Sequence, residues 1–317
     1  MNHGTTRRRF LRMAASAAAL GAHASLNTHA QTPIERAGKA SLTPALNAYS
    51  FSDALEAKLV DLFGVCDFCA KHDIAAVDLT GYFFPGYPKP PADEYVRRIK
   101  KYVHDRGVVV CGTGVRNDFA TADRAVRAEG VSLARAWVEA AARLGAPVLR
   151  VFAGPTGKQK DWRKASEGAP RGDVERWMAD DLRACAEHGE KFGVIVAVQN
   201  HGDFLSSAEE HLSLLRRVDH PWCGPLVDTG MYTTPDPYAD VARMAPHAVN
   251  WQIKETLGSS LKSPRADFRR LARAIHDGGY GGFVPIETLK MGRKDYDPAA
   301  EVLKVLASMR EAIAGLG

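Results

Sequence analysis

The amino-acid sequence predicts a single-domain (β/α)₈ barrel. Eight short apolar runs alternate with eight amphipathic stretches from residue 43 onward, and the repeat fits such a barrel in count and length, typically about 250 residues. A doubly wound open sheet is the competing arrangement, but its glycine-rich fingerprint is missing. The first run leads into "YSFSDAL", "GTGVRN" at 112–117 lacks the third glycine, and "GPTGKQ" at 154–159 fails the phosphate-loop spacing. The sequence therefore gives no reason to expect a nucleotide cofactor.

The elements follow in order. The strand candidates are "PALNAYSF" (44–51), "AAVDLTGY" (75–82), "VVVCGTGV" (108–115), "PVLRVFAG" (147–154), "VIVAVQNH" (194–201), "CGPLVDTG" (223–230), "AVNWQIKE" (248–255) and "FVPIETL" (283–289). Each is a short, largely apolar run. Helical periodicity fills 55–72, 92–106, 130–145, 173–193, 207–218, 237–245, 266–277 and 297–315. Gly107, Gly145, Gly193 and Gly279 stand where helix stops are needed. Two connections are long: "FFPGYPKPPAD" (83–93) and "PTGKQKDWRKASEGAPRG" (155–172). Such loops lie over the catalytic face of a barrel, and Trp162 in the second is read as a stacking contact for substrate. We expect no second domain.

Composition narrows the partners. Of 317 residues 45% are hydrophobic and 25% charged, which excludes a disordered chain. The net charge of +5 owes much to Arg7, Arg8, Arg9 and Arg12, so there is no electrostatic case for nucleic-acid binding. Residues 1–30 read as an export signal: a basic start, a short Ala/Leu run and small-residue cleavage sites after Ala24 or Ala30. Thr6 to Arg12 resembles the twin-arginine export consensus, which places the mature protein in a bacterial periplasm. The apolar run is too short to span a bilayer, so no membrane span is expected in the mature chain. Residues 31–42 form an extension before the barrel at 43–317. The five cysteines do not form a disulfide scaffold, and Cys66-x-x-Cys69 lies within a helical pattern, where small buried residues are the favoured reading.

Function is sought at the carboxyl ends of the strands. The first strand ends with Asn47 and Tyr49, and the second carries Asp78 and Tyr82. The third delivers Thr113, Arg116 and Asn117, and the fourth Arg150. The fifth ends in Gln199, Asn200 and His201, and the sixth in Asp228. The seventh supplies Asn250, Gln252, Lys254 and Glu255, and the eighth ends on Glu287. Period-2 alternation turns Gln199, Asp228, Gln252, Lys254 and Glu287 inward, opposite Val198, Val227, Trp251, Ile253 and Ile286. Carboxylates, amides and a lysine converging in a concave mouth suit hydroxyl-rich ligands and proton transfer. A small-molecule sugar or glycoside is the expected partner. Asn47, Arg116, Asn117, Arg150, Gln199, Asn200 and Trp162 are the candidate substrate contacts.

At "VQNHG", "VDTGMY", "WQIKE" and "GYGGFVPIETL" the chain resembles the xylose isomerase-like TIM barrels, a family that includes sugar epimerases and sugar phosphate isomerases. The resemblance implies a divalent metal held at Gln199, Asp228, Gln252 and Glu287, where the family places Glu, Asp, His and Glu. Asp228 and Glu287 match. The amides at 199 and 252 leave only oxygen donors, a set for Mg²⁺, Mn²⁺ or Ca²⁺ rather than zinc. An amide cannot exchange a proton at neutral pH, so Gln199 cannot be half of an acid–base pair. The remaining catalytic candidates are Glu287 as base, with His201 or Lys254 as acid or enolate stabiliser. His201 reads equally well as a hydrogen-bonded structural histidine. Three functions stay open: an isomerase or epimerase acting by proton abstraction next to a carbonyl, a lyase on keto-sugars or keto-glycosides using one base, and a sugar-binding barrel without catalysis.

Overall fold

Eight parallel strands close into a barrel in sequence order, with helices between them. This computed structural model describes residues 32–155, 161–201, 204–258 and 262–316. The signal at 1–30 lies outside the described residues, as does the centre of the lysine-rich loop, 156–160. The strands are β1 (Leu42–Asn47), β2 (Ala76–Thr80), β3 (Val109–Gly114), β4 (Val148–Phe152), β5 (Ile195–Gln199), β6 (Cys223–Asp228), β7 (Asn250–Lys254) and β8 (Gly282–Glu287). The helices are α1 (Ser52–Glu56), α2 (Leu62–Lys71), α3 (Asp93–Asp105), α4 (Arg124–Leu144), α5 (Trp162–Ala165), α6 (Arg171–Phe192), α7 (Ala208–Val218), α8 (Pro237–Met244), α9 (Phe268–Asp277) and α10 (Pro298–Ala314). Among the described residues no helix is long and apolar enough to cross a membrane.

All eight expected strands are present, but their ends differ. The first begins at Leu42 and stops at Asn47, because the Asn47 Oδ1 accepts from Tyr49 N at 2.9 Å and turns the chain into a single 3₁₀ turn, Ala48–Phe51. The helix expected over 55–72 is two pieces. Lys58 takes a left-handed φ of 57°, and Asp61 caps the second piece by accepting from Gly64 N at 2.9 Å. The helix expected from 130 starts at Arg124, because Asp123 caps it. Gly145 and Gly193 end α4 and α6 in the left-handed region, as their positions predicted.

The alternation of each strand builds two levels inside the barrel. Ala45, Ala76 and Cys111 pack with Phe283, and Val148, Ala197 and Leu226 pack with Ile195. These apolar residues form a floor. Two residues further along the strands come Asn47, Asp78, Arg150, Gln199 and Asp228, so a polar layer lies above an apolar one. The outward residues Leu46, Val77, Leu149, Val198, Val227, Trp251 and Ile286 belong to the main core beneath the helices. The extension ahead of β1 lies against the opposite end. Ile34 N donates to Pro246 O at 3.0 Å, and the Arg36 guanidinium donates to Pro246 O and to Ala248 O.

Candidate active site

Register places the site residues side by side. In a parallel barrel, paired residues stand at one height, and Lys254 pairs with Glu287 as Asp228 does with Gln252. The Lys254 ammonium donates to Glu287 Oε1 and lies 3.5 Å from Asp228 Oδ2. Gln199 Nε2 donates to Asp228 Oδ2 at 2.8 Å and to Gln252 Oε1 at 2.6 Å. The carboxylate neighbour fixes which end of the amide is which, since an ionised carboxylate only accepts. Gly230 N donates to Asp228 Oδ1 at 3.0 Å. Side-chain exposure separates the carboxylates: Asp228 has 0% and Glu287 7%. Of these two, only Glu287 keeps any side-chain exposure.

A second cluster shares the polar layer. Asp78 of β2 is buried, and its carboxyl packs over Gly112, where a Cβ would stand 2.6 Å from Oδ2. Arg150 passes over Gly114, where a Cβ would come within 2.8 Å of the guanidinium, and donates to Val115 O at 2.5 Å. The glycines at 112 and 114 thus clear the interior for two ionic side chains. Arg150 also lies 4.1 Å from the ring centre of Phe152 and 5.2 Å from that of Tyr82. Burial pushes the Asp78 carboxyl up to about 7, against Arg150 and with Glu287 adding to the rise. Burial also raises Asp228, to about 6, with Lys254 opposing and Glu287 adding. Burial alone would lower Lys254, but Asp228 and Glu287 outweigh it and hold the ammonium charged.

The other expected contacts divide. Asn117 donates to Phe152 O at 2.7 Å and accepts from Phe152 N at 2.8 Å. Asn200 holds Asp228 in the same way, donating to its carbonyl at 3.0 Å and accepting from its N–H at 2.7 Å. Asn47 caps the turn after β1 and accepts from Thr80 Oγ1 at 3.0 Å. Asn117 and Asn200 thus brace the strand ends with both ends of their amides, and Asn47 does so through its Oδ1. Trp162 is buried, with its ring 5.2 Å from that of Phe204, so it offers substrate no stacking face. Arg116 is exposed and lies 4.2 Å over Tyr82. His201, half-buried beyond the end of β5, packs its ring 4.8 Å from Phe152. Asp78, Tyr82 and Phe152 join the site without having been chosen as contacts. The alternation that selected Gln199 would have selected Asp78 too, since Asp78 lies between outward Val77 and Leu79.

The metal expectation fails on the donors. Among the described residues no group of three or more His, Cys, Asp or Glu could hold a metal ion. Gln199 turns its NH₂, not its oxygen, to Asp228 and Gln252. An ammonium already contacts both carboxylates. Oxygen-seeking cations need free oxygens, and here both Asp228 oxygens, Gln252 Oε1 and Glu287 Oε1 already accept from N–H groups. The five cysteines are free and buried, and burial raises the Cys66 thiol to about 12, away from redox reactivity.

The profile of the Xylose isomerase-like TIM barrel family matches residues 66–312. No curated protein matches the chain. Among solved structures the fold is similar to D-psicose 3-epimerase with D-tagatose from Clostridium cellulolyticum H10, with a TM-score of 0.70 and 13% identity over 86% of this chain and 99% of that one. It is similar to a xylose isomerase domain protein from Alicyclobacillus acidocaldarius, with a TM-score of 0.65 and 17% identity over 86% and 99%. A sugar phosphate isomerase/epimerase from Parabacteroides distasonis gives a TM-score of 0.60 and 14% identity over 89% and 99%. At these identities the likeness is one of fold.

Proposed function

The chain belongs to the xylose isomerase-like TIM barrel family, and on that premise we propose that it is an exported sugar isomerase or epimerase-like enzyme that abstracts a proton next to a carbonyl. The observation that carries this reading is the Glu287–Lys254 pair at the barrel mouth. Glu287 is the carboxylate of that pair's cluster that keeps some side-chain exposure, and Lys254 holds a charged donor beside it. A sugar whose carbonyl oxygen accepts from the Lys254 ammonium would present its neighbouring C–H to Glu287. The carboxylate takes the proton, the C–H electron pair becomes the new C=C bond, and the carbonyl π pair moves onto oxygen as an enolate facing the ammonium. The hydroxyl on the deprotonated carbon then gives its proton to the former carbonyl oxygen, and the Glu287 carboxylic acid returns its proton to the former carbonyl carbon, so that the carbonyl has moved by one carbon and an isomerisation is complete with one base.

Gln199, an amide, cannot supply a second base, and it is buried under Asp228 and Gln252. That favours one-base isomerisation over an inversion that needs a base on each face. It also supports a second reading, in which the enolate pair expels a β-substituent and the enzyme is a keto-sugar or keto-glycoside lyase. The pattern of residues 1–30 supports export, with a periplasmic catabolic role and an unphosphorylated substrate. The test is deuterium uptake in D₂O with aldoses, ketoses and keto-glycosides, followed by mass spectrometry. Exchange without cleavage identifies an isomerase or epimerase, and release of the glycosidic group identifies a lyase. Glu287→Gln is expected to lose about 10²–10⁴-fold in exchange. Full exchange in that variant removes Glu287 from its role, and no exchange across the panel leaves a binding barrel.

A further inference from the structure

Four side chains stand where the resemblance places a divalent metal, yet the space between their two carboxylates already holds a positive charge. Lys254 reaches it from β7, pairs in register with Glu287 on β8, and lies 3.5 Å from Asp228 on β6. It donates to Glu287. Around this centre three more oxygens are taken. Asp228 Oδ2 and Gln252 Oε1 both accept from Gln199 Nε2, and Asp228 Oδ1 accepts from Gly230 N. Gln199 Oε1 is buried without a hydrogen-bond partner, because the amide gives its NH₂ to the cluster. A hard cation entering here would need at least this amide turned, two hydrogen bonds broken and an ammonium displaced.

We infer that Lys254 is the resident cation of this barrel, with its ammonium bridging Asp228 and Glu287 in place of a divalent metal, and that Gln199 is neutral because one ammonium balances fewer carboxylates than a dication, while Gln252 accepts the second Gln199 N–H. The inference deepens the proposed reaction by making Lys254 the fixed electrophile, but the position of the charge stands apart from any turnover. The amides fit this arrangement chemically. A carboxylate at 199 would oppose Asp228 at hydrogen-bond distance, and a neutral donor there supports it instead. Glycine at 230 fits as well, since a Cβ there would meet the Lys254 side chain at 2.7 Å.

The test uses the full mature chain after dialysis against chelator, with Mn²⁺ as probe. Free Mn²⁺ is read by electron paramagnetic resonance, and melting is followed with and without about 1 mM Mn²⁺. The wild-type protein is expected to leave the Mn²⁺ signal and the melting temperature unchanged. Lys254→Met, which leaves the two carboxylates without their cation, is expected to bind one Mn²⁺ per chain and to melt higher in its presence. One tightly held Mn²⁺ in the wild-type protein, lost in Asp228→Asn, overturns the inference. So does a folded Lys254→Met that ignores Mn²⁺. Should that variant not fold, the ammonium resonances of ¹⁵N-lysine-labelled wild-type protein decide the matter, with Lys254→Arg as assignment control. A slowly exchanging Lys254 signal that Mn²⁺ leaves sharp supports the inference, and one broadened by Mn²⁺ or exchanging too fast to see refutes it. These readouts need no substrate, so a protein inactive on every sugar can still confirm the cation.

Discussion

Gln199→Glu swaps one atom, a nitrogen for an oxygen, at the most constrained point of the site. In the wild-type protein that nitrogen donates to Asp228 Oδ2 at 2.8 Å and to Gln252 Oε1 at 2.6 Å. After substitution both donations are lost and a second carboxylate faces Asp228. Two unit charges at that separation repel by about 6 kcal/mol at an effective dielectric constant of 20. The protein escapes part of this by taking up a proton, so the pair titrates as a unit with one value well above the ordinary carboxylate range. The folded state then binds more protons than the unfolded one, and stability falls as pH rises through the raised value. We expect a loss of about 3–5 kcal/mol at pH 8, the cost of an uncompensated buried charge. Near pH 5 the shared proton restores one hydrogen bond, and the loss shrinks to about 1 kcal/mol. Denaturant melts of both proteins at the two pH values, in chelator, give the comparison. A Gln199→Glu protein as stable as the wild type at pH 8 would refute the donor role of Gln199 and the argument built on it.

Two further variants probe the neighbouring cluster. Asp78→Asn removes a buried carboxyl that burial raises to about 7, from an ordinary 3.8. A carboxyl raised in the folded state lowers stability as pH climbs from its unfolded to its folded value. The variant is therefore expected to gain on the wild type by up to about 4 kcal/mol above pH 7 and by little near pH 4. Equal pH profiles in urea unfolding would show that Asp78 titrates normally. Gly114→Ala puts a methyl group about where the Arg150 guanidinium lies, with contacts of 2.8 Å. Arg150 is held at Val115 O, so overpacking should cost about 1–3 kcal/mol. A neutral thermal shift would mean that Arg150 can swing clear.

The barrel was legible because each strand carries its own evidence. Trp251 and Ile253 alternate with Gln252 and Lys254, and only one closure buries the first pair under helices while giving the second a common mouth. What alternation could not show is pairing between strands, because contacts across β6, β7 and β8 depend on register. Lys254 was therefore seen as a possible acid, while its place between Asp228 and Glu287 was not. The asparagines misled for a related reason. Asn117 and Asn200 lie at strand ends, like substrate contacts, but each offers a main-chain neighbour the donor and acceptor of another strand. Trp162 misled by its setting among lysines and arginines, a polar neighbourhood in sequence that still buries the ring against Phe204. Helix starts at Asp61 and Asp123 were readable in principle, as each is a strong capping residue. Their helices were misplaced because the apolar periodicity begins elsewhere than the cap.

The amides at 199 and 252 and the lysine at 254 are best understood as one unit. Each contacts another member or a carboxylate that another member touches: Gln199 joins Asp228 to Gln252, and Lys254 joins Asp228 to Glu287. Residues in one such network do not contribute independently. A carboxylate at 199 is unfavourable while the lysine remains the sole nearby cation, and the lysine is needed while no dication balances Asp228 and Glu287. Neither change is favourable by itself, which gives the network two self-consistent states rather than a continuum. The state in this chain retains the two carboxylates, leaves one of them slightly exposed, and supplies its positive charge from the polypeptide. A permanent ammonium also donates hydrogen bonds in directions set by the strand, so it can face an enolate oxygen without any ion having to be loaded first. On this argument the amides at 199 and 252, where the resemblance implies Glu and His, do not signal a decayed site. A neutral donor at 199 is what a lysine-centred site requires.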